Sequence, residues 1–67
     1  MPTVKVVELI GISKNSWQEA AENALADASK TIRNISGIDV LGWKAEIKDN
    51  KIVSYKANVK IAFTVER

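Results

Sequence analysis

Hydrophobic positions along the chain change period twice, from strand to helix and back, and the changes together with the turns mark out the elements. Val4 to Ile10 is rich in β-branched residues and bounded by Pro2 and Gly11, which predicts a first strand. Val4, Val6 and Ile10 fall on one side of it and Val7 and Leu9 on the other, so both faces are largely apolar and both call for cover. Gly11 to Asn15 reads as a turn. Ser16-Trp17-Gln18-Glu19 has the spacing of a capping box, in which the serine accepts from the Glu19 backbone N–H. Beyond it Ala20, Ala21, Ala24, Leu25, Ala28, Ile32 and Ile35 recur at helical spacing, predicting a helix of about 18 residues, roughly 27 Å long, that stops near Gly37. Lys30 and Arg33 would close its last turns, where they complement the helix dipole.

Ile38 to Lys48 and Ile52 to Val65 read as two further strands. Asp49-Asn50 forms the two-residue turn between them. The third strand alternates most clearly: Val53, Tyr55, Ala57, Val59, Ile61, Phe63 and Val65 point one way. A simple two-residue loop pairs Lys48 with Lys51, Ile47 with Ile52, Trp43 with Lys56 and Val40 with Val59. That register puts the helix on the Tyr55–Phe63 side and leaves Asp39, Leu41, Trp43, Ala45, Ile47 and Ile52 on the opposite face. The expected architecture is α+β: a βαββ chain whose three-stranded antiparallel sheet, in the order 1-3-2, wraps one helix. The free face contains enough apolar surface to call for other subunits.

Composition sharpens this picture. With 67 residues there is room for one domain, taken as 1–67, and a core this small rarely supplies more than about 3–5 kcal/mol. No cysteine is present to brace it, so self-association is the expected support. The absence of histidine and cysteine removes the common general base, thiol nucleophile and zinc ligands. The carboxylates Glu8, Glu19, Glu22, Asp27, Asp39, Glu46, Asp49 and Glu66 are scattered, and none pairs with a nucleophile. No catalytic or metal residues are therefore assigned, and the chain is expected not to be an enzyme. Ten basic and eight acidic residues are interleaved rather than gathered, which argues against a nucleic-acid partner. No apolar run approaches a membrane span and no signal peptide is evident, so a cytoplasmic protein is expected.

Several segments together resemble the dodecins, very small βαββ proteins that assemble into hollow homododecamers. They are Val6-Val7-Glu8-Leu9-Ile10-Gly11-Ile12-Ser13, Ser16 to Ala21 with Asn23-Ala24, Ala28 to Ile35, and Tyr55 to Phe63. The resemblance implies a homo-oligomer, a dodecamer, that binds and stores a flavin (riboflavin, FMN or FAD) between subunits without a catalytic cycle. In that family a Trp at the start of the second strand stacks on the flavin ring, and Gly37 occupies its place here. Losing such a stack costs on the order of 1–3 kcal/mol per ring. A Gln or Arg near the flavin in the last strand corresponds to Lys56, which can donate but offers no two-way amide edge. Trp43, facing Lys56 in the expected register, is the candidate replacement wall. Gly37 lies six residues from it, about 20 Å along a strand, so a symmetry mate would have to bring it to the site. Gly37, Trp43 and Lys56 are thus the candidate ligand residues. Trp43 also has a plainer reading as interface packing, and Trp17 as an aromatic packed on its own sheet. The alternative function is a dodecin-like shell that has lost flavin and binds another small ligand, an ion or nothing.

Overall fold

A computed structural model describes residues 3–65. Within it the chain runs β1 (Thr3–Ser13), α1 (Trp17–Ala28), β2 (Ile35–Lys48) and β3 (Lys51–Val65). The three strands form one antiparallel sheet in the order β1-β3-β2, with the helix against one face. This is the expected βαββ architecture. Pro2, read as the boundary of the first strand, lies outside the described residues.

Small side chains set how close the helix sits. Ala20, Ala24 and Ala28 are buried against Ala57, Val59 and Ile61 of β3, with Val7, Leu9, Ala21, Ile32 and Ile35 packed around them. A Cβ on Gly11 would lie 1.9 Å from the Ala20 carbonyl oxygen, so glycine is what lets α1 rest on β1. Leu25, expected in the buried stripe, is instead 37% exposed. At the helix start Ser16 is extended and its Oγ accepts from the Glu19 N–H at 3.0 Å, as the capping box requires.

The helix is shorter than its periodicity suggests. It ends at Ala28 and continues only as a turn in which Lys30, Thr31 and Ile32 donate to the carbonyls of Asp27 and Ala28. Asn34, with φ of 63°, reverses the chain direction and so does the work expected of Gly37. Gly37 lies inside β2, and Lys30 and Arg33 stand beyond the helix rather than in its last turn. Ile32 and Ile35 still pack against the core, which is why their spacing mimics a continuing helix.

The hairpin turn is the expected one: Asp49 and Asn50 both have positive φ, 53° and 62°, the pairing that matches strand twist. Three register shifts follow it. Val53 is an extra residue in β3, and Leu41 and Ser36 are extra in β2. The first shift pairs Trp43 with Ala57 and Lys44 with Lys56, correcting the expected Trp43–Lys56 pair. The Leu41 shift restores Val40 opposite Val59. Between the two, every side chain of β2 changes face relative to the expectation, because a one-residue slip inverts the alternation.

The result is an elongated molecule, 52 × 19 × 13 Å, with a radius of gyration of 13.7 Å against roughly 11 Å for a compact chain of this length. Twelve helical residues cover roughly 18 Å of a far longer ribbon. The accessible surface is 5119 Å², whereas a compact monomer of this mass exposes roughly 4200 Å².

Candidate functional site

The sheet face turned away from α1 is open, and its composition follows from the pairing. Val6, Ala62 and Gly37 form one row across the three strands. Glu8, Lys60 and Asp39 form the next, followed by Ile10, Asn58 and Gly42, then Ile12, Lys56 and Lys44. The β1 side of this face is apolar apart from Glu8 and is uncovered: Val4, Val6, Ile10 and Ile12 are each more than half exposed. The β2 side is flat at two positions, between and beyond which stand Asp39 and Lys44. Gly37 and Gly42 present no side chain, and nothing lies within 4 Å of where a Cβ on either would stand.

Two of the three candidate ligand residues share this face. Gly37 is beside Ala62, and Lys56 is half-buried between Ile12 and Lys44. They are six positions apart in β3 terms, about 20 Å, too far for one flavin-sized ring to touch both within a subunit. Trp43 is not with them. Paired with Ala57, it lies on the helix side of β2 and is 52% exposed. The expected grouping of Trp43 with Gly37 and Lys56 on one face is therefore corrected, and the cause is the Val53 bulge. Trp17 behaves as the plain reading foresaw. Its ring meets Tyr55 edge-on at 4.7 Å, and its Nε1–H donates to the Lys44 carbonyl at 2.8 Å, tying the helix start to β2.

One polar group of the open face was not singled out from the sequence. The Asn58 Oδ1 atom is buried yet accepts no hydrogen bond, in the row between Ile10 and Gly42. An unsatisfied buried acceptor is costly, and it marks a place where a donor from outside the subunit fits. Its only sequence signal is a polar residue on the polar side of an alternating strand, which is common.

The turn into α1 holds a separate polar cluster. The buried Ser13 hydroxyl donates to Glu19 and accepts the backbone N–H of Asn15 and Ser16; the Asn15 amide donates to the same carboxylate at 2.8 Å. Hydrogen bonds from Ser13 and then Asn15 hold the Glu19 carboxyl below its ordinary value. Every partner is accounted for by the turn, so this cluster is structural. Asn23 similarly reaches from the helix to the Ile12 carbonyl at 2.9 Å, at the edge strand β1.

A three-stranded sheet with one covered and one bare face, a close alanine helix and a long overhanging hairpin defines a small α+β protein of the βαββ class. Comparison with known proteins names the family. The dodecin family model matches residues 3–66, and the chain belongs to that family. The dodecin of Thermus thermophilus is 31% identical over 62 residues, 92% of this chain and 90% of that protein. The structure of dodecin from Streptomyces coelicolor superposes with a TM-score of 0.94 at 27% identity, covering 98% of this chain and 94% of that one. The calcium dodecin of Mycobacterium tuberculosis, described with a novel calcium-binding site, superposes at 0.84 over 96% of this chain and 91% of that one; at 23% identity the likeness is one of fold.

Proposed function

We propose that this chain assembles into a closed homo-oligomeric shell, a dodecamer, and stores a flavin (riboflavin, FMN or FAD) between subunits without turning it over. The observation that carries the reading is the bare sheet face of a dodecin-family chain, whose exposed Val6, Ile10 and Ile12 on β1 and side-chain-free Gly37 and Gly42 on β2 leave space for a planar ring. The accessible surface, roughly 900 Å² above that of a compact monomer, supports burial against other copies. Lys56 would donate to the ring edge, and the donor that Asn58 lacks would come from the ligand or a neighbouring subunit. Trp43 would serve as an aromatic wall only across a subunit boundary, since Gly37 and Trp43 occupy opposite faces of β2.

Native mass spectrometry of the protein as purified, followed by riboflavin and FMN titration monitored by flavin emission, tests the proposal. A single assembled species with quenched, saturable flavin supports it. A well-folded single chain at micromolar concentration refutes the assembly. Unchanged affinity in Trp43→Ala removes Trp43 from the site.

The second reading, a shell without flavin, is favoured by one observation: the space at Gly37 is open rather than filled by an aromatic. An assembled shell that takes up no flavin would select it. For an ion as the replacement ligand, no group of three acidic ligands is gathered among the described residues.

A further inference from the structure

Charge that is interleaved in the sequence is sorted into rows on the open face. The row of Glu8, Lys60 and Asp39 carries a net −1, and the row of Ile12, Lys56 and Lys44 a net +2. Lys60 and Lys56 are four residues apart in β3, so the two rows stand about 13 Å from each other. Ile10, Asn58 and Gly42 form the row midway between them. Neither charged row is neutralised within the chain. Among the described residues the ion pair present is Lys30 with Asp27, at the end of the helix. Lys44 directly opposite Lys56 is unfavourable on its own, because like charges face each other across the strands.

Strand β2 holds the same order by itself. Along the open face it presents an acid at Asp39, no side chain at Gly42 and a base at Lys44. Gly42 is not required by the chain's own packing: nothing lies within 4 Å of where its Cβ would stand, and its φ is not positive. A second β2 laid antiparallel over the first, with a twofold axis through the Gly42 row, sets each Asp39 over the other copy's Lys44. The acceptor that is buried without a donor, Asn58 Oδ1, lies in that same axial row. An amide carries both donor and acceptor, so Asn58 of one copy answers Asn58 of the other. The stacking also sets Lys60 over the second copy's Lys56. Lys60 stands between its own Glu8 and Asp39, so its row as a whole stays negative towards the lysine row.

We propose that the open face recognises the open face of a second copy of this chain, stacked about a twofold axis through the Gly42–Asn58 row, with Asp39 and Lys44 exchanging ion pairs. Such a contact is isologous: each copy gives the acid of one pair and the base of the other. The surface in excess of a compact monomer, roughly 900 Å², matches the roughly 800 Å² per partner that a stable interface covers. The exposed Val6, Ile10 and Ile12 supply apolar area, and the charged rows fix the register and exclude other stackings. The pairing rests on the assembly proposed above, identifies the residues that select it, and needs no flavin.

A charge exchange tests the pairing. Sedimentation velocity and native mass spectrometry over a concentration series compare the parent with Asp39→Lys, Lys44→Glu and the double variant that carries both. Each single variant sets like charges over each other twice, so association should weaken at least about tenfold and a smaller species should appear. The double variant restores opposite charges in both pairs and should return to within about threefold of the parent. A merely structural role for either residue gives no such rescue. Circular dichroism reports that each variant folds. A single variant that does not fold is replaced by Asp39→Asn or Lys44→Gln, which must weaken association and reduce its sensitivity to sodium chloride. Single variants that associate within about twofold of the parent overturn the pairing while leaving assembly standing, as does a folded double variant as weak as the singles. A parent that is itself a single chain at micromolar concentration removes the assembly reading and the pairing with it.

Discussion

Replacing Gly11 with alanine probes the contact on which the subunit core depends. The added Cβ would meet the Ala20 carbonyl oxygen at 1.9 Å, its carbon at 2.9 Å and the Ala24 Cβ at 2.9 Å. Ordinary contact begins near 3.4 Å, so α1 must lift from β1 by about 1.5 Å. Helix backbone cannot swing aside as a flexible side chain could. Lifting it also opens the contacts of Ala20 and Ala24, which are short and cannot reach across a gap. Overpacking of this kind costs about 1–3 kcal/mol. For a domain of this size each kcal/mol lowers the unfolding midpoint by about 4–8 °C, so a fall of roughly 5–20 °C is expected. Thermal unfolding followed by circular dichroism at one fixed protein concentration measures it; concentration must be fixed because association shifts the midpoint. Gly42→Ala is the control, since nothing lies within 4 Å of its Cβ position and its φ is not positive. A Gly11→Ala protein that melts within about 2 °C of the parent would refute the close helix–strand contact.

Ser16→Ala removes the N-cap acceptor of Glu19 N–H and should destabilise the subunit by about 1 kcal/mol in urea unfolding. Trp17→Phe keeps the ring against Tyr55 but deletes the Nε1–H bond to the Lys44 carbonyl; a loss of about 0.5–1.5 kcal/mol is expected by the same assay. The Glu19 carboxyl titrates below its ordinary value of 4.5 in the folded chain, so its contribution to stability is complete above that pH and is lost as pH falls through the folded value. Unfolding midpoints between pH 6 and 3 should therefore decline less steeply at the acid end in Glu19→Gln than in the parent. Asn58→Leu leaves no orphaned acceptor in the row between Ile10 and Gly42, so it should leave subunit stability near that of the parent while weakening flavin uptake or assembly, read by titration and native mass spectrometry.

Element type and order could be read from the sequence because each rests on a local signal. The β-branched run of β1, the Ser16–Glu19 cap, the alanine spacing of α1 and the Asp49-Asn50 turn all act over a few residues. The helix end was misplaced for a reason equally physical. Ile32 and Ile35 continue the apolar spacing, but they reach the core from a turn and a strand, and Asn34 rather than Gly37 takes the left-handed conformation. The candidate site was harder to read. Gly37 and Lys56 lie on the open face as expected, while Trp43 does not, because the single bulged residue Val53 inverts the alternation between residues 42 and 46.

The sequence by itself determined the βαββ order, the central place of β3 and the presence of apolar side chains on a second sheet face. Those follow from periodicity and from turn chemistry. Only the tertiary structure decided which side chains share a face, since bulges depend on how two strands settle against each other and leave no periodic trace. The pairing of Lys44 with Lys56, the place of Asn58 beside Gly42 and the displacement of Trp43 are all consequences of that settling.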